Sequence, residues 1–229
     1  SRGSFENLAM IQDGQVDLAI VQGDIFQDFP GMRSIAPLVE ESVHILGRKG
    51  LGVQHIEGLR DKVVCIGPEY SGMAKTARRI LTHVFGGPLN EPVCHLSFSD
   101  GFNKLLVGEI DAYISVTGVQ SRGLHKFIET GQVEYINIGD GRKNSMIDGL
   151  CLRFPFYKPF TIPKNIFGQY PQEPVHTISV PSVLVVSQRL SNEQVFAISQ
   201  TLFQQRMTLN EFDPPVVFID EQFDRKTLP

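Results

Sequence analysis

Val63-Val64-Cys65-Ile66-Gly67-Pro68-Glu69-Tyr70-Ser71-Gly72 joins a short apolar run to a loop bounded by glycines. Helical spacing follows: Met73, Ala77, Ile80, Leu81 and Val84 share one face, and Gly86-Gly87-Pro88 supplies a stop. Pro92 to Phe98 reads as another strand. Ser99 and Asp100 then open a helix carrying Phe102, Leu105 and Leu106, Gly108 ends it, and Ile110 to Val116 is the next strand. Residues 62 to 118 are thus predicted as β-α-β-α-β, a Rossmann-like lobe.

Upstream, the same pattern occurs once more. Ser4 is placed to cap a helix carrying Phe5, Leu8 and Ile11, Gly14 stops it, and Val16 to Val21 is an apolar run of the kind expected for a parallel strand covered on both faces. Gly14-Gln15-Val16-Asp17 corresponds to Gly108-Glu109-Ile110-Asp111, each leading into a strand that ends in small polar residues. Ile35 to Leu38 and Ser42 to Leu46 are short strand candidates. Gly139 to Pro174, rich in Gly, Pro and aromatics, reads as loop and short strand. Ile178 to Val186 is extended but interrupted by Pro181, and Ser191-Asn192-Glu193-Gln194 fits a capping box opening a helix through Phe203. Asp213 to Pro229 shows no pattern.

Size and charge exclude several classes of function. With 229 residues, 41% hydrophobic and 20% charged, the chain can build one large domain or two lobes. A formal net charge of -4 without a Lys/Arg stripe argues against nucleic acid or an anionic membrane as the main partner. The pairs Arg78-Arg79 and Arg142-Lys143 read as solvated faces. No apolar run reaches the roughly 18 residues of a bilayer span. Cys65, Cys94 and Cys151 show no metal-ligand spacing. Cys65 and Cys94 in apolar runs read as small hydrophobes, with a bridge between them as the alternative.

No catalytic constellation is legible. The six histidines join no nucleophile in a recognised order, and G-x-S-x-G, H-E-x-x-H and P-loop patterns are missing from the sequence. Adjacent Cys94 and His95 in a strand would face opposite ways. No enzyme activity, cofactor or metal is therefore expected. The loop from Gly67 to Gly72 is the informative element, because strand-to-helix joins lie at the carboxyl ends of strands, where ligands bind. Free N–H groups and the positive helix end suit a carboxylate or phosphate, Ser71 adds a hydroxyl, and Gly72 permits close approach. The alternative role of Ser71 is an N-cap alone.

Gly3-Ser4-Phe5-Glu6-Asn7-Leu8, Asp17-Leu18-Ala19-Ile20-Val21-Gln22-Gly23-Asp24, Val64 to Gly72 and Gly108-Glu109-Ile110-Asp111-Ala112-Tyr113 occur in an order with Ile162-Pro163, Tyr170-Pro171 and Ile178 to Val186. Over roughly residues 3 to 205 this order resembles the TAXI family of receptors that serve TRAP transporters. The resemblance implies a type II periplasmic-binding-protein fold: α/β, two Rossmann-like lobes joined by hinge strands, with a ligand cleft between them. On that template one lobe holds residues 1–52 and 183–229, and the other residues 53–182. Family members have a strand and Gly/Thr-rich loop before the position of Ser1 and a His-Pro-Gly-Ala-type segment after this chain's end, so the resemblance implies truncation at both ends. The family's Ser-Gly-Thr reads Ser71-Gly72-Met73 here.

The resemblance implies a periplasmic or otherwise extracytoplasmic receptor for a small anionic solute, a glutamate-like amino acid or a dicarboxylate, handed to TRAP transporter membrane subunits by hinge closure. Gln22, Gly23 and Asp24 are expected to read an amino or hydroxyl group. Tyr70, Ser71 and Gly72 with Thr117 and Gly118 take the carboxylate, and Tyr170 covers the pocket. The strand ends at Gln22 and Ser115 are expected to face the shared cleft. The same fold also serves as a ligand-sensing module of signalling proteins and in enzymes of pyrimidine-precursor or tetrapyrrole synthesis.

Overall fold

The structure is a computed structural model that describes residues 3–26, 29–87 and 93–212, with side chains through residue 209. The elements in chain order are α1 (Ser4–Gln12), β1 (Leu18–Gln22), α2 (Gly23–Phe26), β2 (Met32–Arg48), β3 (Val64–Cys65), α3 (Gly72–Phe85), α4 (Phe98–Leu106) and β4 (Ala112–Thr117). They continue with α5 (Arg122–Ile128), β5 (Val133–Tyr135), α6 (Met146–Arg153), β6 (Lys158–Ile162), β7 (Val175–Ser187), α7 (Asn192–Gln204) and α8 (Arg206–Phe212). The chain divides into two compact units, Ser1–Glu41 with Val180–Pro229, and Ser42–Ser179. It passes from one to the other inside β2 and inside β7.

In unit 1, β1 pairs antiparallel with β7, from Leu18 opposite Val186 to Gln22 opposite Ser182. Leu8 and Ile11 of α1 close over Val21, Ile25, Met32, Val183 and Val185. The strand differs from the expected doubly covered parallel one: Leu18 and Ile20 are 42% and 51% exposed, and only its last two residues are buried. Ser4 is not the cap of α1 either. Gly3 holds that position, and Ser4, inside the helix and buried, accepts a hydrogen bond from the Gln22 amide at 3.0 Å.

In unit 2, β4 runs antiparallel to β2 (Ser42 opposite Thr117, Gly47 opposite Ala112) and parallel to β3 (Val64 opposite Ala112, Cys65 opposite Tyr113). β5 adds to β2 and β6 to β7, both antiparallel. The core gathers Leu46, Phe102, Leu105, Tyr113, Leu124 and Phe167. Phe102 stacks on Phe127 with centroids 4.2 Å apart and ring planes 9° from parallel.

The two helix-Gly-strand joins are built alike. Gly14 and Gly108 sit at φ +75° and +76°, a left-handed conformation open to glycine, and their amides bond Ile11 and Leu105 carbonyls. Each following strand starts one residue after its aspartate. Asp17 pairs with Arg189 at 3.5 Å; Asp111 binds Arg48 Nε at 3.1 Å and the Val63 amide at 3.0 Å.

Five further strand expectations and one loop expectation need correction. The two candidates in 35–46 are one strand, β2, continuous through Pro37 and the Glu40-Glu41 pair. β7 likewise runs unbroken through Pro181. The Val63 to Ile66 run forms only a two-residue strand, β3. Of the predicted strand Pro92 to Phe98, Pro92 lies outside the described residues, only Cys94 makes a bridge, to Cys65, and Ser97 caps α4, accepting from the Asp100 amide at 3.2 Å. The Gly139–Pro174 loop contains a helix, α6, opened by a capping box of Ser145 and Asp148. Pro88 and the unpatterned 213–229 segment lie outside the described residues. The Ser191–Gln194 capping box opens α7 as expected. Cys65 and Cys94 are free thiols, Cys65 Sγ donating to the Cys94 carbonyl at 3.1 Å.

Candidate functional site

Parallel pairing sends β3 and β4 out at the same end of unit 2, so the loop after β3 and the Thr117-Gly118 end of β4 share that end. The loop turns at Gly67 (φ +84°) and enters α3 through Ser71, whose Oγ accepts from the Ala74 amide at 3.1 Å and donates to the Pro68 carbonyl at 2.7 Å. Ser71 is therefore an N-cap with its one hydroxyl proton committed to the loop, and the anion-binding capacity of this end lies in the first-turn amides and the helix dipole. Gly72 is buried as the first residue of α3, Tyr70 is 79% exposed, and Met73 receives the Tyr113 hydroxyl at 3.8 Å from Sδ. His95 fastens the loop from below. Its Nδ1 lies 3.0 Å from the Gly67 carbonyl, which can only accept, so the proton is on Nδ1 and Nε2 accepts from Arg78 at 3.3 Å.

Next to this end, cross-strand pairing lays Ser42, His44, Ser115 and Thr117 along one face of β2 and β4. His44 is fully buried; its Nδ1 lies 2.9 Å from Tyr135 Oη and its Nε2 2.8 Å from Ser42 Oγ and 3.2 Å from the Thr117 carbonyl. Burial pushes its pKa down to about 4, against a smaller opposing effect of the Thr117 carbonyl. Ser115 Oγ is buried beside it with no hydrogen-bond partner.

The unit 1 candidates form a second polar cluster. Gln22 ends β1, 7% exposed; Gly23 and Asp24 begin α2, Asp24 with no exposed surface. Gln22 is cross-strand partner to Ser182, so the two side chains share a face. Ser182 hydrogen-bonds the Glu41 carboxylate. Burial raises Glu41 to about 7; the Ser182 bond lowers it, and the nearby Asp24 and Glu40 carboxylates raise it further. Gln22 Nε2 is buried without a partner on this face. Glu41 and Ser182 were missed in sequence; the available signal was an acidic pair inside an apolar strand and a serine after the β7 proline.

Tyr170 lies elsewhere. It lines a cavity of about 330 Å³ with Lys49, Glu134, Tyr135, Asn137 and Glu173, toward the end of β2 that pairs with the start of β4, away from Thr117. The thiols are subdued: burial, with Cys65 beside it, pushes Cys94 up to about 12, and burial pushes Cys151 up to about 11. Among the described residues no helix is long and apolar enough to cross a membrane.

A family model described as the NMT1-like family matches residues 1–220. The chain belongs to the NMT1-like family. Solved structures similar to this NMT1-like chain include the arginine-, lysine-, histidine-binding protein ArtJ from Geobacillus stearothermophilus, at 13% identity, 96% of this chain, 78% of that one and TM-score 0.56. An ancestral arginine-binding protein bound to arginine matches at 14% identity, 92% and 72% coverage and TM-score 0.53. The substrate-binding protein of an amino acid ABC transporter matches at 12% identity, 91% and 73% coverage and TM-score 0.53. At such identities the likeness is one of fold. The NMT1-like chain has the type II periplasmic-binding-protein fold.

Proposed function

We propose that the chain is an extracytoplasmic receptor that captures a small amino acid and does no chemistry on it. The carboxylate binds at the Ser71-capped start of α3 through the first-turn amides of Gly72 and Met73, with Thr117 and Gly118; the amino group is taken by Gln22, Gly23 and Asp24. The observation that carries this reading is the Ser71-capped start of α3 at the carboxyl end of the parallel β3–β4 pair. The cluster of Asp24, Glu40 and Glu41 favours an amino acid over a dicarboxylate, since a second ligand carboxylate there meets like charge whereas an ammonium offsets it. A TRAP-type transporter as recipient is supported by the ordered sequence motifs. The fold relatives that bind arginine or belong to an amino acid ABC transporter keep basic amino acids and that transporter class in the comparison.

The test is a thermal-shift panel followed by calorimetry with L-glutamate, L-glutamine, L-arginine and succinate. A ligand at a hundredfold its Kd stabilises the folded state by about 2.7 kcal/mol. An amino acid is expected to raise Tm and succinate to leave it unchanged. Asp24→Asn is expected to weaken the amino acid at least about tenfold. Succinate binding as tightly as glutamate, with Asp24→Asn silent, overturns the assignment of the amino-group site.

A further inference from the structure

β3 ends on Cys65, and the segment ahead of α4 brings Cys94 alongside it as the parallel bridge partner. Two backbone hydrogen bonds hold this pairing: the Cys94 amide donates to the Val64 carbonyl at 3.0 Å, and the Ile66 amide donates to the Cys94 carbonyl at 3.1 Å. Cys94 therefore makes both ladder bonds around Cys65, and the two residues sit directly opposite each other. Neighbouring strands lie about 4.8 Å apart, inside the roughly 4.4–6.8 Å Cα separation that a disulfide spans. Bridge partners also project their side chains to one face of the sheet. The two side chains meet there: Cys65 Sγ lies 3.1 Å from the Cys94 carbonyl and the Cys65 thiol also hydrogen-bonds that of Cys94. Cys65 is fully buried and Cys94 half-buried, so a reagent reaches the pair through Cys94. Cys151 lies apart, on α6 beside Asp148.

We propose that Cys65 and Cys94 form a reversible disulfide, a redox-dependent staple between β3 and residue 94. The oxidant is a small-molecule disulfide. The Cys94 thiolate attacks one of its sulfurs, forming a mixed disulfide and expelling one thiolate. Cys65 then loses its proton, and its sulfur attacks Cys94 Sγ, closing the Sγ–Sγ bond and expelling the second thiolate. The protein gives up two protons and two electrons, and the oxidant leaves as two thiols that carry both. Ile66 and Gly67 follow Cys65 directly, and His95, next to Cys94, binds the Gly67 carbonyl through Nδ1 at 3.0 Å. The bond thus fixes the foot of the loop that enters α3 through Ser71, and it closes a loop across a sequence separation of 29 residues. Both cysteines belong to unit 2, and the pairing does not rest on the proposed ligand.

The experiment has two arms: refolding of the chain from urea in a buffer of reduced and oxidised glutathione, and incubation of the folded chain with oxidised glutathione. Both are run at mildly alkaline pH, because burial keeps the thiolate scarce at neutrality. Free thiols are counted by alkylation in denaturant, and the digest is mapped by mass spectrometry. Of the three cysteines, Cys151 alone is expected to be alkylated in at least one arm, with a peptide linking Cys65 to Cys94 that disappears on reduction. The oxidised form is expected to melt at least about 5 °C above the reduced form. In Cys94→Ser both remaining thiols stay open to alkylation and the redox-dependent Tm shift vanishes. The thiol count and the linked peptide come from the wild-type chain, so they decide the assignment even where the variant does not fold. Three alkylated thiols in both arms, a mixed disulfide that goes no further, or a link to Cys151 instead overturns the disulfide. A bridged form that melts with the reduced one overturns the staple.

Discussion

His44 and Glu41 lie on the same strand, and burial moves their proton equilibria in opposite directions. His44, lowered from 6.5 to about 4, stays neutral in the fold; the stability it contributes is complete above pH 6.5 and is lost as pH falls through about 4. Glu41, raised from 4.5 to about 7, contributes stability that is complete below pH 4.5 and is lost as pH rises through about 7. Each effect amounts to roughly 3 kcal/mol, and between pH 4.5 and 6.5 their slopes oppose. Glu41→Gln keeps an acceptor for Ser182 but carries no charge. Its stability advantage over wild type, from urea midpoints, is expected to grow from near zero at pH 4.5 to about 3 kcal/mol at pH 7.5; a difference independent of pH contradicts the buried carboxyl. Ser71→Asp keeps a capping side chain and so should preserve folding, while its charge competes with a ligand carboxylate for the same amides. Affinity is expected to fall about thirtyfold with an unchanged denaturation midpoint, and unchanged affinity removes the α3 terminus from the site. Ser71 was legible because a cap and its helix are neighbours in sequence. The carboxylate cluster was not, because Asp24, Glu41 and Ser182 meet only when α2, β2 and β7 pack.

Local pattern located the helices better than the strands. The α3 face and the α7 capping box are written in consecutive residues, so both were readable. β2 and β7 were read too short or broken because Pro37, Glu40-Glu41 and Pro181 interrupt an apolar run that the fold keeps extended. The α6 helix was hidden by flanking glycines and prolines, although Ser145 and Asp148 carried its start signal. α7 has no fully buried residue, so its first turn leans on Ser191, whose side chain accepts from the Gln194 amide at 3.2 Å. Ser191→Ala is expected to cost about 1 kcal/mol. Amide hydrogen exchange should speed up within α7 while the amides of β4 stay protected; uniform acceleration across both speaks against a local cap effect.

At the scale of the molecule, unit 2 is one continuous stretch, 42–179, with its own core, whereas unit 1 is assembled from two stretches. The excised 42–179 segment is therefore expected to melt cooperatively by circular dichroism, and residues 1–41 alone to remain unfolded. A non-cooperative melt of the segment shows that unit 2 needs the rest of the chain. The pairing of β1 with β7 also sets an order in time. On a ribosome, Leu18–Gln22 emerges early, but its partner Ser182–Val186 is translated only after the whole of unit 2. Until then the apolar side chains of α1 and β1 lack Val183 and Val185 of their native cover, and slowing translation between the two stretches should lengthen that exposure.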